Sequence, residues 1–186
     1  APYGEPCFVG HILEKLIDLK DDGSFWLDQS YFDYATGLTM TSRKFHDLFG
    51  GPPRRPEDEL TQREMDLAAS IQAVTEEIML RMTRELARTY KIANLCLAGG
   101  VALNCVGNGR IRRDGAFRDL WVQPAAGDAG GALGAALAAY HLELGGARAA
   151  PGTLDHMAGS YLGPAYAEAD IERRLAAAGA RFDVIA

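Results

Sequence analysis

Between Asn94 and Leu144 one pattern occurs twice: a short apolar run, a glycine-rich turn, then a segment that reads as helix. The first run, Leu95-Cys96-Leu97-Ala98, passes into Gly99-Gly100 and Val101-Ala102-Leu103-Asn104. The second, Leu120-Trp121-Val122-Gln123, is closed by Pro124. It is followed by Ala125-Ala126-Gly127-Asp128-Ala129-Gly130-Gly131-Ala132-Leu133-Gly134 and an alanine-rich helix to about Leu144. Strands that end in glycines opening a helix belong to α/β proteins, where such turns bring backbone N–H groups close to a phosphate or carboxylate. Glycine lacks the Cβ that would block the approach. Glycines after a strand are also ordinary turn residues, and Asp128 ahead of a helix is equally an N-cap. Both readings of Asp128 stay open at this point.

The rest of the chain supports one substantial core. It has 186 residues, 48% of them hydrophobic, enough to bury a single-domain interior. A net charge of −6 with the signs mixed along the chain speaks against a general nucleic-acid binder, which carries a basic face. No apolar run approaches the roughly 20 residues of a membrane span, and no signal peptide is visible. The expected setting is cytoplasmic. Cys7, Cys96 and Cys105 lack metal-ligand spacing, and the last two read as buried free thiols in a reducing compartment. Both ends read as cut from something longer.

In chain order, apolar residues at Phe8, Ile12, Leu13, Leu16, Ile17 and Leu19 predict a helix over 6–19. The aromatic stretch 24–34 reads as one or two short strands, and 44–49 as a helical turn. Gly50-Gly51-Pro52-Pro53-Arg54-Arg55-Pro56 is an irregular loop. Arg54 and Arg55 on it are either a clamp for an anion or solvated surface charges. Thr61 and Glu64 form a capping box, and Leu60 with Met65 a hydrophobic staple, opening the longest helix. Its apolar stripe runs through Leu67, Ile71, Val74, Ile78, Met82, Leu86 and Tyr90, with Glu76, Glu77 and four arginines opposite. About 29 residues give a rod of roughly 43 Å, with no chemistry assigned to it. The run 105–111 is a poor helix by propensity; its two glycines suggest close packing or a nearby ligand, and Arg110, Arg112 and Arg113 read as solvent-facing. His141 and His156 have no partner at helical spacing and read as structural. A short helix over 166–178 turns Ile171 and Leu175 inward and ends at Gly179. A strand begins at 182–185.

Several strings together resemble the O-carbamoyltransferases of the nodulation and antibiotic-tailoring type. They are 95–105, 123–136, Ala1-Pro2-Tyr3-Gly4, Tyr31-Phe32-Asp33-Tyr34 and Leu48-Phe49-Gly50-Gly51-Pro52-Pro53-Arg54. The resemblance implies a large domain of the actin-like ATPase (RNase H-like) fold, similar to the tRNA-threonylcarbamoyl transferase subunit, with a mixed sheet flanked by helices. It implies a second, adenylate-forming domain. Residues 1–164 would be the second half of the first domain, and 165–186 the start of the connection to the other.

Family members combine carbamoyl phosphate and ATP into carbamoyl adenylate, then pass the carbamoyl group to a hydroxyl of a small-molecule acceptor. The resemblance places Gly99, Gly100, Asn104, Gly127 and Gly130 at the nucleotide or adenylate. It makes Asp128 a ligand of a divalent metal, iron, completed by two histidines of an His-x-x-x-His motif. None of His11, His46, His141 or His156 forms that motif. The missing ligands are therefore expected upstream and the second domain downstream, with the chain alone inactive. No catalytic residue is assigned within it. Two other function classes remain from the residues: a sugar kinase or ATPase of the same fold, in which Asp128 would serve Mg²⁺ or water, and a binding module without chemistry.

Overall fold

The computed structural model describes residues 1–148, 158–161 and 163–185. They divide into two compact units, 1–135 and 136–186.

In the first unit, α1 (Val9–His11) widens directly into a π-helical turn, Ile12–Leu16, that buries Ile12 and Leu16. The helix predicted to reach residue 19 stops here. Ile17–Leu19 is instead strand β1, paired antiparallel with β2 (Phe25–Leu27). The apolar spacing suits either state, and pairing across the 20–24 turn decides it. A 3-10 turn over Gln29–Tyr31, with Asp28 accepting from the Ser30 N–H, follows. Next come α2 (Arg43–Leu48) and the irregular 50–61 loop.

Helix α3 (Gln62–Tyr90) is continuous, as the sequence requires. At its start the Glu64 carboxylate accepts the Thr61 N–H at 2.9 Å and the Thr61 hydroxyl at 2.5 Å. Leu60, read as half of a staple, is 65% exposed. The buried residues of α3 differ from the predicted stripe. Val74 is 2% exposed and Ile78 packs on the same cluster, but Ile71 is 52% exposed. Glu76, assigned to water, is buried, and so are Met79, Leu80 and Thr83, which the stripe leaves out. The reason is that α3 is packed on more than one side. One cluster joins Val74 to Ile12, Leu16, Ile17, Tyr31 and Phe49. A second joins Met79 and Leu80 to Leu95 and Ile111.

Lys91, with φ of +54°, turns the chain out of α3 into β3 (Asn94–Leu97). A 3-10 turn, Gly100–Leu103, leads to α4 (Cys105–Asp114), then to β4 (Asp119–Val122) and α5 (Asp128–Ala138). The weak propensity of 105–111 is overcome by the Asn104 cap and by packing: a Cβ on Gly107 would stand 2.7 Å from Met79 Sδ. β3 and β4 pair in parallel. Among the described residues there are two separate two-stranded sheets rather than one mixed sheet. Cys96 and Cys105, like Cys7, are exposed rather than buried. Strand alternation sends Leu95 inward and Cys96 to the other face.

In the second unit a π-helical turn, Ala139–Glu143, ends at Gly145, with φ of +65°. His141 Nδ1 lies 2.9 Å from the Gly146 carbonyl, a structural role. Helix α6 (Glu168–Ala177) ends with Gly179 left-handed, as predicted, but Ile171 is 45% exposed and 182–185 form no strand. His156 lies outside the described residues. No helix among those described is long and apolar enough to cross a membrane.

Candidate functional site

The parallel register sets Leu97 opposite Val122, so both strands end at one edge. There the two glycine turns are bonded to each other. The Gln123 N–H donates to the Leu97 carbonyl at 3.0 Å, and the Gly99 N–H to the Ala126 carbonyl at 2.8 Å. Gly127 faces Leu103, whose Cδ1 would lie 3.8 Å from a Cβ at 127. The turns therefore form one surface. Gly99 has φ of +96°, where side chains are strained, and Gly100 opens into free space. A Cβ at Gly130 would sit 2.0 Å from the Ala125 carbonyl oxygen, a backbone atom with nowhere to go.

Asp128 is the first residue of α5 and is exposed. Among the described residues its carboxylate makes no hydrogen bond or ion pair, so the cap reading finds no bond to rest on. It is a hard anionic oxygen suited to one ligand position of a divalent cation. No group of three His, Cys, Asp or Glu side chains stands together as a metal site among those residues. The described residues thus offer one ligand position rather than a complete site.

Asn104 has a definite structural task. Its Oδ1 accepts the Gly107 N–H at 3.0 Å and caps α4, while its Nδ2 donates to Gln72 Oε1 at 2.9 Å. Gln72 Nε2 donates to Glu76 Oε1 at 2.7 Å and reaches Asn104 Oδ1 at 3.2 Å. Arg110, read as solvent-facing, donates through Nη1 to Glu76 Oε2 at 2.7 Å. Burial pushes the Glu76 carboxyl up, and the bonds from Arg110 and Gln72 with the charges of Arg110 and Arg113 more than offset it, so the net shift is downward. Asn108 Nδ2 donates to the Ala102 carbonyl at 2.7 Å, and its Oδ1 is buried without a donor among the described residues. Sequence reasoning missed Gln72, Glu76 and Asn108. The available signal was a pair of polar residues four apart on the longest helix, beside its apolar stripe.

Arg54 and Arg55 are not joined to this surface. Arg54 Nη1 donates to the carbonyls of Arg55 at 2.7 Å, Pro56 at 3.0 Å and Asp58, stitching its own loop. Arg63 holds that loop to the start of α3 through the Pro52 carbonyl at 2.8 Å. The Arg55 guanidinium has no acidic partner among the described residues. A polar cleft of about 730 Å³ on this side is lined by Asp33, Thr41, Arg43 and His46. An apolar cleft of about 360 Å³ adjoins the first glycine turn, between Leu97, Ala98 and Val101 and the α3 residues Ile78, Met82 and Leu86.

Residues 1–137 match the family model described as "Carbamoyltransferase N-terminus", ending two residues past the first unit. The chain is 59% identical over 175 residues to the uncharacterised protein sll1178 of Synechocystis sp., covering 94% of this chain and 28% of that protein. It is 39% identical over 137 residues to nodulation protein NolNO of Sinorhizobium fredii, covering 74% of this chain and 18% of that one. It is 36% identical over 137 residues to nodulation protein NolO of Bradyrhizobium diazoefficiens, covering 74% and 23%. The chain thus spans less than a third of the length of each of these relatives.

Proposed function

The chain belongs to the carbamoyltransferase N-terminus family, and from that premise we propose that it is part of an enzyme that transfers a carbamoyl group to a hydroxyl of a small-molecule acceptor. The carbamoyl group comes from carbamoyl phosphate through an ATP-dependent carbamoyl adenylate. The chain contributes the second half of an actin-like domain, and it is inactive without the rest of the protein. The observation that carries this reading is the bond from the Gly99 N–H to the Ala126 carbonyl. It makes one surface of the two turns at the shared edge of β3 and β4.

The chain's part in the chemistry follows from that surface. Carbamoyl adenylate is reactive because its phosphate is a good leaving group. Glycine turns at strand ends hold such a phosphate with backbone N–H groups, which need no proton transfer to act. Gly99, Gly100 and Gly127 admit it because no Cβ stands in the way, and Gly130 keeps α5 seated against Ala125. Asp128, exposed at the head of α5, supplies one carboxylate to a metal whose other ligands lie elsewhere in the whole protein.

The test is Asp128→Asn in the full-length protein, with metal content, thermal melting, adenylate formation and carbamoyl transfer measured on one preparation. Asn keeps the shape, and the Asp128 carboxylate makes no hydrogen bond or ion pair among the described residues, so melting is expected to be nearly unchanged. Metal content and transfer fall together, while adenylate formation persists. Full metal and full transfer in the mutant would remove Asp128 from the site.

A further inference from the structure

The polar side chains between α3 and the first glycine turn form an ordered series in which each group fixes the next. The Glu76 carboxylate can only accept. Arg110 Nη1 occupies its Oε2 at 2.7 Å, and Oε1 takes the Gln72 Nε2 at 2.7 Å. That settles which end of the Gln72 amide faces Glu76, and it presents Gln72 Oε1 to Asn104 Nδ2 at 2.9 Å. With its nitrogen turned to Gln72, Asn104 faces the Gly107 N–H with its oxygen, at 3.0 Å. Were the Gln72 amide reversed, oxygen would face the carboxylate and nitrogen would face nitrogen. A neutral amide has no such preference by itself. The charge on Glu76 supplies it, and a hydrogen bond to an ionised group is the stronger kind.

We propose that Gln72 and Glu76 are positioning residues for the Gly99–Asn104 turn. The carboxylate sets the polarity of a relay, Glu76 to Gln72 to Asn104, that holds the turn in the shape that receives an adenylate group. The proposal rests on the reading above that this turn takes the adenylate. It adds two residues on a helix to which the sequence assigned no chemistry, and neither touches the ligand. Asn104 acts within it as the joint between α3 and α4, because one side chain both caps α4 and closes the relay. Asn108 grips the Ala102 carbonyl independently, so the relay governs the end of the turn at Asn104 rather than the turn's existence.

The experiment uses the full-length protein, AMP as the probe, and hydrogen exchange read peptide by peptide. Three proteins are compared: wild type, Gln72→Met, and the double variant Gln72→Glu with Glu76→Gln. The double variant swaps the carboxylate and the amide. Residue 72 still accepts from Asn104 Nδ2, residue 76 can donate to it and Arg110 still finds an oxygen at 76; only the longer contact from residue 72 to Asn104 Oδ1, at 3.2 Å, is lost. In Gln72→Met, exchange over 99–108 is expected to rise without AMP, and the AMP concentration giving half protection to rise about tenfold. In the swapped variant both return to within about twofold of wild type. Peptides over 94–98 and 119–122 exchange alike in all three.

Faster exchange across both strands in Gln72→Met would reduce Gln72 to general packing and overturn the proposal. Failure of the swap to restore the turn would do the same. If AMP does not protect 99–108 in the wild type, the adenylate reading is refuted. The exchange of the mutant and the swap without AMP then decides the relay by itself.

Discussion

Gly130 and Gly131 are adjacent in α5, and the structure expects opposite consequences from the same substitution. Alanine at either position gains the helix preference of Ala over Gly, up to about 1 kcal/mol. Gly131 has nothing within 4 Å of where its Cβ would be, so that gain is unopposed. At Gly130 the new carbon lands 2.0 Å from the Ala125 carbonyl oxygen. No rotamer relieves a clash between Cβ and backbone, so the start of α5 must move away from Ala125 by on the order of 1 Å. Overpacking of this kind costs about 1–3 kcal/mol. The propensity gain is shared, so the difference between the two mutants isolates the clash and should fall in that range. One kcal/mol moves the melting temperature of a chain of this size by about 2–4 °C. Urea and thermal melts followed by tryptophan fluorescence therefore resolve it. Gly130→Ala melts several degrees below Gly131→Ala. Equal melting of the two mutants would refute the reasoning.

Two further outcomes follow from burial and charge. Ile111→Ala, at a site 2% exposed in the second core cluster, should destabilise by about 2–5 kcal/mol, read as a lower urea midpoint at unchanged slope. Glu64 is held down at about 2 by the hydrogen bond with the Thr61 hydroxyl, then by those from Arg63 and the Thr61 N–H. Its folded value lies below the unfolded one near 4.5. The stability it contributes is thus present above pH 4.5 and lost as pH falls toward 2, and Glu64→Gln should flatten acid unfolding through that window.

Local signals were the legible ones. The capping box at Thr61 and Glu64, the left-handed Gly179 and both glycine turns are settled within a few residues, so sequence alone placed them. The faces of α3 were not legible, because burial there is set by segments remote in the chain. The N-terminal turn and Phe49 close over Val74, and Leu95 with Ile111 close over Met79 and Leu80. Glu76, which the helical pattern alone assigns to water, is buried against Arg110 of α4. Ile17–Leu19 escaped for the same reason, since its partner strand decides its state. At the site, the parallel pairing of Leu97 with Val122 put the two turns together as the strand–turn–helix repeat suggested. Asn104 was visible only as a residue of the turn. Its hold on Gln72 depends on α3 crossing α4, which no spacing within the chain reveals.

The two core clusters use successive stretches of α3, with Ile78 packed against one and Met79 inside the other. Both clusters draw on the same rod, the first adding the N-terminal turn and α2 and the second α4. Fraying of the rod between Ile78 and Met79 would therefore uncouple the two clusters. The strand pair bearing the glycine turns is anchored through Leu95 to the later stretch. How firmly that strand pair is held therefore depends on contacts made by residues up to Phe49, although these lie on the other cluster.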